Sequence, residues 1–135
     1  MGESEIVPEK VAWVLVRDGR VLVTRNRGVD VFYFPGGKRE PGESDAETLA
    51  REIDEELRAQ VDTTTMVHVG TVETLRESDG RTEFRMICYT AEHAGPLIAS
   101  NEIAESDWFG YSDRSRVSAA DQMVFDMLHS AGRLP

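Results

Sequence analysis

The stretch from Gly36 to Leu57, GGKREPGESDAETLAREIDEEL, constrains this chain more than any other. Two glycines follow Pro35, and a helix opens at Ser44, seven residues after Gly37. Ser44-Asp45-Ala46-Glu47 is a capping box, in which the Ser side chain and Glu47 satisfy two orphan amides reciprocally. Ala46, Leu49, Ala50, Ile53 and Leu57 then recur at three- and four-residue spacing, which gives one apolar stripe. Arg58-Ala59-Gln60 ends the helix without the usual Gly. Glu52 stands three residues before Glu55 and four before Glu56, so three carboxylates share one side. Such neighbours repel by about 0.2–0.5 kcal/mol per pair on an exposed helix. Alone, an acidic run reads as a solvated face. A hard divalent cation removes the conflict, because Mg2+ takes oxygen ligands, typically one or two carboxylates plus substrate phosphates.

The residues beside the helix point the same way. Glycines after a proline let the backbone approach a ligand or metal closely. Lys38 and Arg39 place positive charge beside that loop, which suits a phosphate. Arg51 lies eight residues after Glu43, two helical turns along, and can hold Glu43 or pair with Glu47.

The remaining pattern predicts strands. Lys10 to Arg25 reads as a hairpin about Asp18-Gly19, a pair tolerant of positive φ. Its first arm is apolar on both faces, as in a covered strand. The run Val31 to Phe34 is stopped by Pro35-Gly36-Gly37. Strands follow at about 66–75 and 82–92, joined through Ser78-Asp79-Gly80, with a short one at 106–110. A last helix spans 118–130, with Met123, Val124, Phe125, Met127 and Leu128 as its apolar positions and Gly132 as its stop. The order β-β-β-α-β-β-β-α predicts an α/β (α+β) fold, a mixed β-sheet sandwiched between helices. Residues 1–9 are expected to be a flexible tail and 10–135 a single domain.

With 135 residues, 40 % of them hydrophobic, one real core is expected. Fifteen Lys and Arg against 25 Asp and Glu give a formal charge of −10. That balance argues against binding nucleic acid polymers or anionic membranes. No apolar run approaches a membrane span. The acidic start MGESEIVPEK is not a signal peptide, and Ile6 breaks the myristoylation pattern. Cys88, the lone cysteine, can form no internal disulfide. A reduced, cytoplasmic, soluble protein is expected.

Gly37, Glu43, Arg51-Glu52, Ile53 and Glu55-Glu56 stand at the spacing of the Nudix box, which this stretch resembles. The family's next glycine is replaced by Arg58. If Arg58 takes positive φ, the exchange costs about 1 kcal/mol. The resemblance implies a Nudix fold and metal-dependent hydrolysis of a nucleoside diphosphate linked to another group X. It implies Glu52, Glu55 and Glu56 as ligands of Mg2+ or Mn2+, with the Gly36 carbonyl added and Glu43 available for a further ion. Glu43 and Arg51 hold the loop to the helix, and Lys38 stabilises charge near phosphate. The water-activating base is either a box carboxylate (Glu55, Glu56) or a later loop Glu, with Glu102 ranked ahead of Glu105.

For the substrate, Arg25 resembles a phosphate-binding arginine of MutT-type members, and Arg27 is a weaker counterpart. Tyr33 is placed to stack on a base, with Phe32 and Phe34 in the core. Phe84 and Arg85 lie on a strand that could flank the base. Trp108, the three scattered histidines and Cys88 read as packing residues. The expected partner is a nucleotide or related small molecule, and a homodimer stays open. The leading reading is MutT-like cleavage of nucleoside triphosphates. An ADP-ribose or nucleotide-sugar pyrophosphatase, or a nucleotide-binding module without turnover, are the alternatives.

Overall fold

Strand β1, Glu9–Trp13, runs through the middle of the molecule. Its residues Val11, Ala12 and Trp13 are all buried, because a central strand is covered on both faces. The computed structural model describes residues 6–135. After β1 come β2 (Val16–Arg17), β3 (Arg20–Asn26), β4 (Gly36–Gly37) and helix α1 (Asp45–Leu57). Then follow β5 (Gln60–Val61), β6 (Val67–Leu75), β7 (Thr82–Thr90), β8 (His93–Ala94), β9 (Ile103–Phe109) and helix α2 (Ala119–Ser130). One sheet has the order β4-β1-β7-β6, a second β2-β3-β9, and β5 pairs with β8. β1 is parallel to β7, while the other pairs are antiparallel, so the main sheet is mixed.

The alternation along β1 and β3 decides which helix covers which face. Val11, Trp13 and Leu22 pack with Leu49, Ile53 and Leu57 of α1. Ala12, Val14, Val21 and Val23 pack with Val124, Phe125 and Leu128 of α2. The sheets are therefore sandwiched between the two helices, as the sequence pattern predicts.

Several elements differ from expectation. Asp18 (φ 54°) and Gly19 (φ 73°) do form the turn, with positive φ at both central positions. The hairpin they close, however, joins β2 to β3, not β1 to β3. Val14 N–H still donates to Tyr89 O beside β7, while Leu15 O already accepts from Leu22 N–H. The chain thus changes sheet between those two residues. Gly36-Gly37 does not merely stop a strand but adds one, pairing with Ala12 and Val11. The run 31–34 makes only isolated bridges, through Phe32 and Tyr33. β9 starts at Ile103, three residues earlier than the expected 106. On α2, Met123 and Met127 are 40 % and 39 % exposed, and the buried stripe is Ala120, Val124, Phe125 and Leu128. Of the expected tail, residues 1–5 lie outside the described residues, and Glu9 already opens β1. No described helix is long and apolar enough to cross a membrane.

Candidate active site

Helix α1 begins as its sequence requires. The Ser44 hydroxyl accepts from Glu47 N–H (3.1 Å), and the Glu47 carboxylate accepts from Ser44 N–H (2.9 Å). Its buried stripe is Leu49, Ile53 and Leu57, and that stripe also carries Glu56, which is only 6 % exposed. A buried carboxylate needs partners. Gly36 N–H donates to Glu56 Oε1 at 3.0 Å. Gly36 has φ +144°, and a Cβ there would stand 2.0 Å from the Val11 carbonyl oxygen. A Cβ on Gly37 would stand 2.3 Å from the Glu52 carboxylate carbon. Only glycine lets β4 lie this close to both β1 and α1.

Arg51 organises the other side of the loop. Its guanidinium makes a bidentate pair with Glu43 (2.7 and 2.9 Å), donates to Glu52 Oε1 (2.8 Å) and donates to the Lys38 carbonyl (3.0 Å). Such forked geometry is what arginine supplies and lysine does not. The guanidinium hydrogen-bonded to Glu43 pulls that carboxyl down to about 2. Thr48 Oγ1 also donates to Glu43 (2.9 Å), and Glu43 Oε1 accepts from Glu40 N–H (2.8 Å). The loop from Lys38 to Glu43 is thereby clamped to the helix.

Loop and helix form one wall of a cleft of about 490 Å³. Gly36, Gly37, Lys38, Glu52, Glu56 and Glu102 line its acidic end. Lys10, Tyr33, Phe84, Met86, Asn26 and Asp121 are among the residues lining the rest. Burial pushes Glu56 up to about 8, with the Glu52 and Glu102 charges adding to the rise and Lys10 and the Gly36 N–H opposing it. Burial also raises Glu52, against the hydrogen bond from Arg51. Lys10 Nζ donates to the Phe34 carbonyl (2.6 Å) and stands 5.3 Å from the Tyr33 ring centroid. Asp121 is buried, accepts from Phe34 N–H (3.3 Å) and from Ser118 Oγ (2.5 Å), and is raised by desolvation.

Other residues singled out in the sequence do not converge there. Glu55 is 43 % exposed and 3.5 Å from Arg51, on the outer side of α1 beside Arg58 and Asn101. Arg25 pairs with Glu105 (2.8 Å) and donates to the Val29 carbonyl (3.0 Å), so it does not face the cleft. Glu105 is committed to that pair. Arg85 is likewise held by Glu73 (2.6 Å) and Glu9 (2.7 Å), because its neighbour Phe84 takes the cleft-facing side of β7. Among the described residues, no three Asp, Glu, His or Cys side chains already form a closed cation cage. The donor set still fits a hard cation. Two carboxylates, Glu52 and Glu56, face one cleft beside exposed backbone, and burial penalises their charge. A divalent ion there would offset that penalty.

The model of the NUDIX domain matches residues 8–126. The chain belongs to the Nudix family. Among solved structures it is similar to the E. coli ORF135 protein, at 28 % identity over 91 % of both chains and TM-score 0.69. It is similar to the mutator MutT protein of Bacillus halodurans, at 25 % identity over 91 % of this chain and 83 % of that one, TM-score 0.71. The MutT Nudix hydrolase of Burkholderia pseudomallei shares the fold at 22 % identity, over 90 % of this chain and 98 % of that one, with TM-score 0.74. No curated protein matches the chain by sequence. As a Nudix hydrolase it acts on phosphoanhydride bonds, and the family generally uses divalent metal ions and nucleotide substrates.

Within this Nudix site, Lys10 and Asp121 are the residues that sequence reasoning missed. They come from β1 and α2, and no spacing in the sequence joins them. Asp121 did carry one signal. It sits one residue from Ala120 and three from Val124 on a helix whose apolar stripe they define, which puts a carboxylate at the edge of the core.

Proposed function

We propose that this chain is a Mg2+- or Mn2+-dependent pyrophosphohydrolase that cleaves a nucleoside diphosphate linked to X, a nucleoside triphosphate or related nucleotide, and works in the cytoplasm. The observation that carries the reading is the buried pair Glu52 and Glu56 opening into one cleft with Gly36, Lys38 and Glu102. Gly36 (through its carbonyl), Glu52, Glu55 and Glu56 would hold the metal, with Glu43 in reserve beside Arg51. A divalent ion bound there neutralises phosphate charge and lowers the pKa of its water. Glu102 takes the proton as water attacks phosphorus. The P–O anhydride bond breaks and the leaving group departs as a phosphate anion. Lys38 stabilises the charge that develops on the phosphoryl oxygens. Arg51 positions Glu52 and the loop. Because Arg25 and Arg85 are committed to carboxylates outside the cleft, contacts to the base are assigned to Tyr33 and Phe84.

The test is a panel of nucleoside triphosphates and nucleotide sugars with Mg2+, followed by product analysis. A nucleoside triphosphate should give a nucleoside monophosphate and pyrophosphate, activity should vanish in excess EDTA, and Mg2+ or Mn2+ should restore it. Full turnover after metal stripping would sink the reading.

A further inference from the structure

The turn that carries Glu102 into the cleft is held from two sides. On one side it is tied to the end of α1. Ile98 N–H donates to the Leu57 carbonyl and Ser100 N–H to the Glu56 carbonyl, both at 2.8 Å. Ile103 N–H closes the turn on the Ser100 carbonyl (3.1 Å), and Asn101 at its tip has φ 58°. Asn tolerates this left-handed conformation better than most residues, but it still needs support from its surroundings. On the other side stands one residue, Arg27, just after β3. Its backbone N–H donates to the Glu102 carbonyl (2.9 Å), and its Nη1 donates to the Asn101 carbonyl (2.8 Å). The two peptides flanking the Glu102 Cα are therefore both fixed by Arg27, one through main chain and one through side chain. The side-chain bond matters most, because it holds the carbonyl of the residue at positive φ.

The ladder beside this turn is irregular in the same place. β3 and β9 pair in register from Val21–Phe109 to Arg25–Glu105, and the register then shifts so that Asn26 faces Ile103. The extra residue, Ala104, bends β9 away from regular pairing. Regular strand bonds thus do not continue to Glu102, and Arg27 takes over where they stop.

Building on the assignment of Glu102 as the water-activating carboxylate, we propose that Arg27 is a positioning residue for it, clamping the peptides on both sides of Glu102 so that its side chain stays aimed at the Glu52–Glu56 end of the cleft. Arg27 does not line the cleft itself, so its effect runs through Glu102. A misplacement of about 1 Å at a reacting group can cost up to about 100-fold in rate.

The test is a double-mutant cycle with Mg2+ and a nucleoside triphosphate, joined to amide exchange on the metal-free protein. Arg27→Met keeps the stem and the main-chain bond but removes the guanidinium. It should lower kcat about tenfold with KM within about twofold, and Arg27→Lys should recover part of the loss. In a Glu102→Gln background, Arg27→Met should cost less than about twofold more, because the group it positions is already disabled. Amide exchange at Ser100 and Ile103 should quicken in Arg27→Met without any substrate present. Equal losses in both backgrounds overturn the proposal, because Arg27 then acts independently of Glu102. A loss of kcat in Glu102→Gln with none in Arg27→Met overturns it alone. Wild-type kcat in Glu102→Gln overturns the assignment of the base, and the proposal with it.

Discussion

Glu56 joins three parts of the site within one residue. Its carboxylate accepts from Gly36 N–H, its carbonyl accepts from Ser100 N–H, and its backbone belongs to α1. Removing its charge separates chemistry from folding. Glu56→Gln keeps an acceptor toward Gly36 and relieves both the desolvation and the repulsion from Glu52 and Glu102. We expect kcat to fall by about 100-fold or more, as for loss of a principal charge-stabilising group. The metal-free melting temperature at pH 8 should stay level or rise, about 4 °C for each 1 kcal/mol gained. Calorimetry that shows a clearly lower melting temperature would contradict this account. The burial of Glu56 was written in the sequence. At about 100° per residue it lies within about 20° of Leu49 on the helix wheel, whereas Glu55 is turned about 100° away. Lys10 and Asp121 had no such marker, because the fold alone brings them to the cleft.

At the scale of elements, α1 could be read at both ends, and β1 could not. The capping box is satisfied as its residues dictate. At the other end Arg58 occupies the left-handed C-cap, φ 55° and ψ 31°, where a glycine would sit without strain. Arg58→Gly should therefore leave stability unchanged or raise it by up to about 1 kcal/mol, the relief of strain being partly offset by extra freedom of the unfolded chain. Urea unfolding checks this, and a clear loss would mean that the Arg58 side chain, beside Asp54 and Glu55, contributes more than its backbone costs. For β1 the local pattern suggested pairing with its neighbour in sequence, yet Glu9 pairs with Arg85, 76 residues away. Parallel pairing leaves no turn signal to read. β4 was equally hidden, since two glycines have no strand preference and are drawn into the sheet by close approach.

For the whole molecule, the decisive quantity is how many protons the folded, metal-free chain keeps. Glu56 is raised to about 8, and burial also raises Glu52 and Asp121. Unfolded carboxylates lose their protons near pH 4–4.5. Between that range and about pH 8 the folded chain holds more protons than the unfolded one, so metal-free stability should fall as pH rises. Glu43 acts in the opposite sense but in another window. Held down to about 2, it adds stability above the ordinary carboxylate range and loses it as pH falls towards 2. The two effects therefore do not cancel near neutrality. Ionised carboxylates bind metal and protonated ones do not, so cation affinity should climb by up to about tenfold per pH unit until Glu56 is fully ionised. Calorimetric scans from pH 5.5 to 8.5 should show the metal-free melting temperature declining while the gain on adding Mg2+ grows. Glu56→Gln should flatten the decline and keep a residue of it, because Glu52 and Asp121 still hold protons. An unchanged slope in Glu56→Gln would show that the protons reside elsewhere, and the cleft would then not be where the folded chain stores its opposition to charge.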